Sequence, residues 1–213
     1  MEQREFMMLQ GIIFDLDGCL IDSGEVQKKA YFGSYEIVVG DQNCPPYEEY
    51  IKYTGDSIDN IFHNMGFPKE MSRVYKEINR SLVSEVVINE EAMQLIRDLR
   101  KRKIKIAICT GKNRDRTLEL LKFYQIENLF DVLVCCDDVE LPKPSGEPMI
   151  KAMQEMKLKR DEVIVVGDGY NDILSAKNAG MKSVLTTWYG DMGVQRESDY
   201  VVDSVDALRN IIL

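Results

Sequence analysis

Two aspartates, Asp15 and Asp17, directly follow a short apolar run and have the residue type and spacing that catalysis needs. The run Ile12, Ile13 and Phe14 has the composition of a strand buried on both faces, as in a parallel sheet. Open α/β sheets bind ligands at the carboxyl ends of their strands, so both carboxylates are predicted to face a site. Two acids on one face of a strand can share a metal ion and divide the roles of nucleophile and proton donor. An acidic turn is the alternative for this segment alone, because Asp and Gly are ordinary turn residues.

A second group of polar residues follows the apolar run 104–109. Thr110 and Gly111 offer a hydroxyl and backbone amides at the start of a predicted helix, which suits a phosphate group. Helix capping by Thr110 or Asn113 is the simpler interpretation of this segment by itself.

Lys143 lies between two prolines that restrict the local backbone. Most lysines are solvated surface charges, but a lysine held this rigidly near acids can balance an anion. The sequence alone leaves both interpretations open.

A further pair of acids, Asp168 and Asp172, follows the apolar run 163–166. Asp172 stands at the start of a predicted helix, where a carboxylate also favours the helix dipole. Gathered with Asp15, these carboxylate oxygens would suit Mg²⁺, which prefers oxygen ligands.

Apolar periodicity predicts the elements that must position these residues. Between Gly24 and Val87 the patterns are helical only, and from Glu90 onward strands and helices alternate, which indicates a parallel sheet with right-handed crossovers. The sequence therefore predicts an α/β fold. Its sheet layer comprises residues 1–21 and 89–213, and a small all-helical module, residues 22–88, is inserted after the first strand. The predicted segments are helices 25–39, 47–53, 57–65, 69–86, 90–102, 114–124, 147–156 and 171–179, and strands 12–14, 104–109, 132–135, 163–166 and 183–186.

Composition narrows the class of protein. The 213 residues carry a formal charge of −9, which argues against nucleic acid as a partner, because phosphate-backbone binding needs clustered Lys and Arg. No run approaches eighteen apolar residues, so we expect no membrane span and a cytoplasmic protein. The five cysteines form no C-x-x-C pair, which indicates reduced thiols without a zinc site.

The four polar stretches together resemble the motifs of the haloacid dehalogenase superfamily. In this sequence they read Asp15-x-Asp17-Gly18, Thr110-Gly111, Pro-Lys143-Pro, and Gly167-Asp168-x-x-x-Asp172. Each motif alone is weak, but all four occur in order, each after an apolar run. The helical insert is similar to the cap of the phosphoglycolate phosphatase and phosphomutase-like subgroup, so the expected core is Rossmann-like. Cys19 departs from the pattern, since phosphatase members usually carry Thr there.

The resemblance implies a role for each matched residue. Asp15 would be the nucleophile that forms an aspartyl-phosphate, and Asp17 the general acid and base. Mg²⁺ would be held by Asp15, the backbone carbonyl of Asp17 and Asp168, with Asp172 near it. The phosphoryl oxygens would be bound by Thr110, Gly111 and Lys143.

Within the insert, the segment 52–57 resembles the substrate-facing loop of such caps. Lys52, Thr54 and Gly55 are therefore predicted to contribute to specificity, and an ordinary helix–helix turn is the alternative. Arg114 or Arg116, after the Thr110 loop, is a further candidate for reaching the substrate.

These features predict a Mg²⁺-dependent phosphatase acting on a small phosphorylated metabolite, as a monomer or weak homodimer. Asp17 and Asp168 argue against a dehalogenase, which lacks the second aspartate and the metal. A sugar phosphomutase, an inorganic pyrophosphatase and a phosphoserine-type phosphatase remain alternatives on the same scaffold. The intact motifs argue against a phosphate-binding module without catalysis.

Overall fold

The secondary structure follows the predicted alternation of strands and helices. A computed structural model of the protein describes residues 9–40, 43–54, 56–190 and 197–213. The strands are β1 (Gly11–Phe14), β2 (Ile21–Asp22), β3 (Val87–Ile88), β4 (Lys105–Cys109), β5 (Val132–Val134), β6 (Val163–Gly167), β7 (Lys182–Thr186) and β8 (Tyr200–Val202). The α-helices are α1 (Gly24–Val38), α2 (Tyr47–Ile51), α3 (Ile58–Asn64), α4 (Lys69–Ser81), α5 (Glu90–Lys101), α6 (Arg114–Phe123), α7 (Glu147–Glu155), α8 (Tyr170–Ala179) and α9 (Val205–Ile212).

Six strands form one sheet in the order β5-β4-β1-β6-β7-β8. Each neighbouring pair in it is parallel, and β1 lies in the middle between β4 and β6. The carboxyl ends of these three strands therefore meet at one edge of the sheet, where the predicted site residues follow them.

Helices cover both faces of the sheet, as the apolar strands predict. Ile12 and Phe14 point to the face covered by α5, α6 and α9, and Ile13 points to the face covered by α7 and α8. Successive side chains of a strand alternate between faces, so a central strand with apolar residues at each position is buried on both sides. This confirms the predicted α/β fold, a parallel sheet flanked by helices.

Helices α1 to α4 form the insert and have an apolar cluster of their own. Rings dominate the cluster, with Tyr31 and Tyr50 at a centroid distance of 5.2 Å and Phe62 edge-on to Tyr75 at 5.4 Å. Offset and edge-to-face contacts between aromatic rings add to the free energy gained from burial alone.

The end of the insert differs from the prediction. The predicted helix 69–86 ends at Ser81, a single 3₁₀ turn follows at Val83–Glu85, and β3 then pairs antiparallel with β2. The three consecutive β-branched residues 86–88 favour the extended pairing over a helix, because branching at Cβ restricts χ1 in a helix. A short two-stranded ribbon therefore joins the insert to the sheet layer.

The last strand and helix were absent from the prediction. Strand β8 extends the sheet beside β7, and α9 begins after Ser204, whose hydroxyl accepts a hydrogen bond from the amide of Ala207 at 3.3 Å. The Ser before an apolar helical pattern was a readable signal for this helix start.

The helices are short. Among those described, α1 is the longest at 15 residues, whereas crossing a bilayer takes about 20 apolar residues. No helix within the described ranges is both long and apolar enough to span a membrane.

Candidate active site

The predicted site residues lie at the carboxyl edge of three adjacent strands. Asp15 follows β1, Thr110 follows β4, and Asp168 follows β6. The amide of Asp15 donates to the carbonyl of Val166 at 2.8 Å, so Asp15 is still held against β6. The parallel strand order thus brings together residues that are far apart in the sequence.

Three carboxylates converge at this edge. One oxygen from each of Asp15, Asp168 and Asp172 lies within 4.8 Å of the others. Two glycines leave room for them: a Cβ on Gly18, which has a φ of +68°, would overlap the Asp168 carboxylate, and a Cβ on Gly167 would overlap Asp172. Glycine is required at position 18 for both reasons, since left-handed backbone is costly for other residues.

Lys143 lies between two of these acids. Its ammonium donates to Oδ1 of Asp15 at 2.7 Å, to Oδ1 of Asp172 at 2.5 Å, and to the carbonyl of Cys109 at 3.3 Å. The residue is only 3% exposed, and three donors meet three acceptors. The structure therefore brings Lys143 next to acids, the condition under which it can balance an anion.

Burial and mutual repulsion shift the pKa values of this group. Burial raises the pKa of the Asp15 carboxyl to about 7, with repulsion from Asp172 adding to the rise and Lys143 opposing it. Burial, followed by repulsion from Asp15 and Asp172, raises the pKa of Asp168 well above its usual range. Burial disfavours the charged form of Lys143, but attraction to Asp15 and Asp172 outweighs it, so the pKa of that ammonium is raised.

The donor set fits a divalent cation with oxygen ligands. Crowded buried carboxylates disfavour each other's charge, and a cation among Asp15, Asp168 and Asp172 would relieve that repulsion. All three offer oxygen, the ligand atom that Mg²⁺ prefers.

Cys19, which departs from the family pattern, does not belong to the donor set. It is buried with its sulfur 3.9 Å from the carbonyl of Val166, and burial raises the pKa of its thiol, so it is a neutral packing group.

Asp17 has a separate set of partners. Its Oδ1 accepts a hydrogen bond from the hydroxyl of Ser23 and lies 3.5 Å from Nε2 of Gln27. Its Oδ2 lies 2.7 Å from the ammonium of Lys112. The Asp17 side chain is therefore held beside the carboxylate group rather than within it, and Ser23, Gln27 and Lys112 are neighbours that the sequence analysis did not single out.

The loop after β4 is both a helix cap and part of the site. Asn113 accepts from the amide of Arg116 at 2.9 Å and caps α6, as the simpler interpretation predicted. Thr110 is 4% exposed, and its hydroxyl oxygen accepts from the amide of Lys112 at 3.2 Å. Gly111 and Lys112 line the cavity described next, and Thr110 lies beneath that lining.

A cavity of about 530 Å³ separates this edge of the sheet from the insert. The sheet side contributes the four acids Asp15, Asp17, Asp168 and Asp172. The insert side contributes rings, amides and charged groups, among them Tyr47, Tyr50, Thr54, Ser57, Arg73, Tyr75, Lys76, Asn79 and Arg80. The volume is in the range of sites for small molecules.

The three insert residues predicted to contribute to specificity do not all lie at the cavity. Thr54 lines the cavity, and its carbonyl accepts from Nδ2 of Asn171 at 2.9 Å, which joins the insert to the start of α8. Lys52 does not line the cavity, because its exposed ammonium pairs with Glu49 at 2.6 Å. Gly55 lies outside the described residues.

The two arginines of α6 also differ. Arg114 does not line the cavity, since its guanidinium pairs with Asp138 at 2.6 Å and donates to the carbonyl of Leu133 at 2.8 Å. Arg116 does line it and donates to the side chain and carbonyl of Asn79, at 3.1 and 2.8 Å. Arg116 is therefore the arginine that connects the sheet layer to the insert.

Comparisons with known proteins show which family the chain belongs to. A family model described as haloacid dehalogenase-like hydrolase matches residues 12–186. A pyrophosphatase PpaX of Bacillus mycoides is 32% identical over 213 residues, covering 97% of this chain and 98% of the relative. A pyrophosphatase PpaX of Halalkalibacterium halodurans is 31% identical over 212 residues, covering 97% and 98%.

Solved structures share the fold. The crystal structure of CbbY from Rhodobacter sphaeroides in complex with phosphate has a TM-score of 0.80 at 22% identity, covering 94% of this chain and 96% of that one. A hydrolase from Pseudomonas syringae has a TM-score of 0.80 at 24% identity, with the same coverage of 94% and 96%. With the four motifs at one edge of the sheet and the family model across most of its length, the chain belongs to the haloacid dehalogenase-like hydrolase family.

Proposed function

We propose that this protein is a Mg²⁺-dependent phosphatase that hydrolyses a small phosphomonoester through an aspartyl-phosphate. The observation that carries the proposal is the convergence of Asp15, Asp168 and Asp172, with Lys143 paired to the first and the last of them, beneath a cavity that Asp17 also lines. Such an arrangement offers a nucleophile, a proton donor and charge for phosphoryl transfer within one site.

In the first step, a carboxylate oxygen of Asp15 attacks phosphorus. The new bond joins Asp15 to phosphorus, and the bond from phosphorus to the leaving oxygen breaks. Asp17 donates a proton to that oxygen, and the alcohol departs. In the second step, Asp17 takes a proton from water, the water oxygen attacks phosphorus, and inorganic phosphate leaves with Asp15 restored.

The remaining residues stabilise negative charge. Asp15, Asp168, Asp172 and the backbone carbonyl of Asp17 would hold Mg²⁺, which supplies the positive charge that lets an anionic carboxylate approach an anionic phosphate. The longest hydrogen bond of the Lys143 ammonium is the one to the carbonyl of Cys109, at 3.3 Å. The N–H that makes this bond would donate to a phosphoryl oxygen instead when substrate binds.

The loop after β4 would supply neutral donors to the same phosphoryl group. The hydroxyl oxygen of Thr110 already accepts a bond from a backbone amide, so its own O–H can donate to a phosphoryl oxygen. The backbone amide of Gly111 would be a second donor.

The insert would act as a cap that chooses the substrate. We place the cap at residues 22–88 and the core at residues 1–21 and 89–213. The contacts Thr54–Asn171 and Asn79–Arg116 support this, because they link the two parts on either side of the cavity. Fold and motifs serve the reaction, and the insert wall supplies the discrimination.

Inorganic pyrophosphate is the second candidate substrate. The relatives from Bacillus mycoides and Halalkalibacterium halodurans, at 32% and 31% identity over nearly the whole chain, are named pyrophosphatases. Pyrophosphate would need the same nucleophile and cation, with phosphate as the leaving group.

Phosphate release by the purified chain tests the proposal. The protein is stripped of metal with EDTA and assayed with p-nitrophenyl phosphate and with pyrophosphate while Mg²⁺ is added back. We expect turnover that depends on Mg²⁺ and is lost in Asp15→Asn, with Asp206→Asn, whose side chain is 92% exposed, as the matched control. Turnover that persists in EDTA, or in the Asp15 variant, would contradict the proposed chemistry.

A further inference from the structure

The ammonium of Lys112 lies at the cavity and has donors to spare. The ammonium of Lys112 lines the cavity and lies 2.7 Å from Oδ2 of Asp17, with the side chain 16% exposed. An ammonium has three N–H donors, and among the described residues Lys112 meets this single acceptor. Two donors therefore remain for a ligand.

The cations on the insert wall have carboxylate partners of their own. Arg73 pairs with Glu77 at 2.5 Å, Lys76 with Asp59 at 2.6 Å, and Arg80 with Glu119 of α6 at 3.6 Å. All three pairs are more exposed than the pair of Lys112 with Asp17. Their charge is compensated before any ligand arrives.

The two buried cations have other partners. The ammonium of Lys143 meets three acceptors. The guanidinium of Arg116 bonds to Asn79 and lies 3.0 Å from Glu119, and its buried Nη1 makes no hydrogen bond to a described residue. Within the described part of the chain, Lys112 is therefore the cavity-lining cation whose partner is Asp17, a carboxylate of the proposed reaction.

The backbone under Lys112 is held on both sides. Its amide donates to the hydroxyl oxygen of Thr110 at 3.2 Å, and its carbonyl accepts from the amide of Cys136 at 3.1 Å. The side chain therefore starts from a fixed point and reaches across from the loop after β4 to Asp17, after β1.

We propose that Lys112 binds a second anionic group of the substrate, carried on the leaving group close to the scissile bond. This rests on the proposed function, in which Asp17 contacts the leaving oxygen. The 2.7 Å ion pair with Asp17, followed by one hydrogen bond from Asp17, places the ammonium of Lys112 about 5–6 Å from that oxygen. The preferred substrates are then compounds whose leaving group has a negative oxygen within a few bonds, such as a phosphorylated 2-hydroxy acid or a phosphoanhydride.

A purely local role for Lys112 makes a different prediction. If the ammonium only orients Asp17, its removal lowers turnover of every substrate by a similar factor. If it binds the leaving group, the loss falls on substrates that carry the second charge. The two roles are separated by a pair of substrates that differ only in that charge.

The first experiment uses phosphoglycolate and 2-hydroxyethyl phosphate, which match in length and differ in the carboxylate. We expect Lys112→Ala to lower kcat/KM for phosphoglycolate on the order of 10- to 100-fold, the range for a charge-assisted hydrogen bond, and to change that for 2-hydroxyethyl phosphate by about threefold or less. Lys112→Arg should recover part of the loss, because it keeps the charge. An equal loss on both substrates would overturn the proposal.

Pyrophosphate tests whether Lys112 also binds a phosphate leaving group, in addition to one that carries a carboxylate. Lys112→Ala should lower its kcat/KM as much as that of phosphoglycolate if any nearby anionic oxygen is bound. Lys52→Ala removes a positive charge that does not line the cavity and should leave the ratio between phosphoglycolate and 2-hydroxyethyl phosphate within about twofold. A similar shift in both lysine variants would point to the general field of the cavity and contradict a direct contact.

A binding measurement separates this inference from the proposed reaction. Calorimetry with wild-type protein and Mg²⁺ compares 3-phosphonopropionate with 3-hydroxypropylphosphonate, whose phosphorus–carbon bond has no leaving oxygen. Tighter binding of the carboxylate, lost in Lys112→Ala, supports the second-anion site even if no ester is turned over. Equal binding of both phosphonates, with turnover intact, would refute the site and leave the proposed function standing.

Discussion

The two walls of the cavity are built from different chemistry. On the sheet wall, Asp15 and Asp172 line the cavity and pair with Lys143 behind them, and all three side chains are almost fully buried. On the insert wall, charged side chains such as Arg73 and Lys76 form ion pairs that remain open to solvent. Buried charges are fixed by their contacts, whereas exposed pairs contribute little free energy and can rearrange.

Because of this difference, we expect the two walls to have different functions. Phosphoryl transfer needs charges held in place before the substrate arrives, and the ends of β1, β4 and β6 supply them. Discrimination among substrates needs a surface that can vary without loss of the reaction, and the rings and exposed pairs of α2 to α4 supply it. Substitutions on the two walls should therefore have different consequences.

The largest effect is expected from Asp15→Asn. The amide is a poor nucleophile and carries no charge for a cation, so kcat should fall on the order of 10³-fold or more. Steady-state turnover of p-nitrophenyl phosphate with Mg²⁺ measures the loss, and circular dichroism checks folding. Near-normal turnover would show that Asp15 is not the nucleophile, and it would contradict the proposed difference between the two walls.

The substitution Lys143→Met tests whether a buried ion pair on the sheet side contributes more to stability than an exposed pair of the insert. Removing the ammonium leaves two buried carboxylates without their partner, so the free energy of unfolding in EDTA should fall by about 3–5 kcal/mol. Lys52→Met is the matched control, because Lys52 also pairs with a carboxylate but is 63% exposed. Urea denaturation of both variants measures the difference, and similar unfolding midpoints would contradict the distinction between buried and exposed pairs.

Asp17→Asn should separate substrates by leaving group. Without the proton donor, esters with poor leaving groups should lose about 100-fold in kcat, while activated aryl phosphates should lose far less. The comparison is made between p-nitrophenyl phosphate and glycerol phosphate. Equal losses would assign Asp17 a structural role.

The smallest effect is expected where the walls join, in Asn79→Ala. One buried donor of Arg116 loses its acceptor, so the free energy of unfolding should fall by about 1–3 kcal/mol. Turnover of p-nitrophenyl phosphate should stay within a few-fold, while the ratio of kcat/KM between two larger phosphomonoesters changes. Asn60→Ala, on the exposed side of α3, is the control and should alter neither. An unchanged substrate ratio in Asn79→Ala would argue against selection by the insert wall.

Much of the fold could be predicted because its signals are local. Strand and helix periodicity located five strands of the parallel sheet, and glycines and prolines located the breaks between the insert helices. The pairing of β2 with β3 could not be predicted, since two-residue strands carry no periodicity. The end of α4 at Ser81 was missed because the pattern alone does not weigh helix continuation against that pairing.

The site was predictable in part for the same reason. Asp15 and Asp168 stand in short motifs directly after strands, which is a local property of the sequence, and Lys143 stands in a Pro-Lys-Pro motif in the loop before α7. Lys52 and Arg114 were chosen for their residue type and nearness to a motif, and in the structure each is turned to a carboxylate outside the cavity. A side chain's direction depends on the partners that packing brings near, which spacing does not reveal.

Hydrophobic periodicity and turn residues act over a few positions, so they were enough to locate the residues that end the strands of a parallel sheet. The contacts among these residues depend instead on how the strands and loops pack together. The order β4-β1-β6 brings Lys143 between Asp15 and Asp172, and the loop after β4 brings Lys112 to Asp17. Such contacts arise from the packing of whole elements, whose free energy depends on residues distant in the sequence.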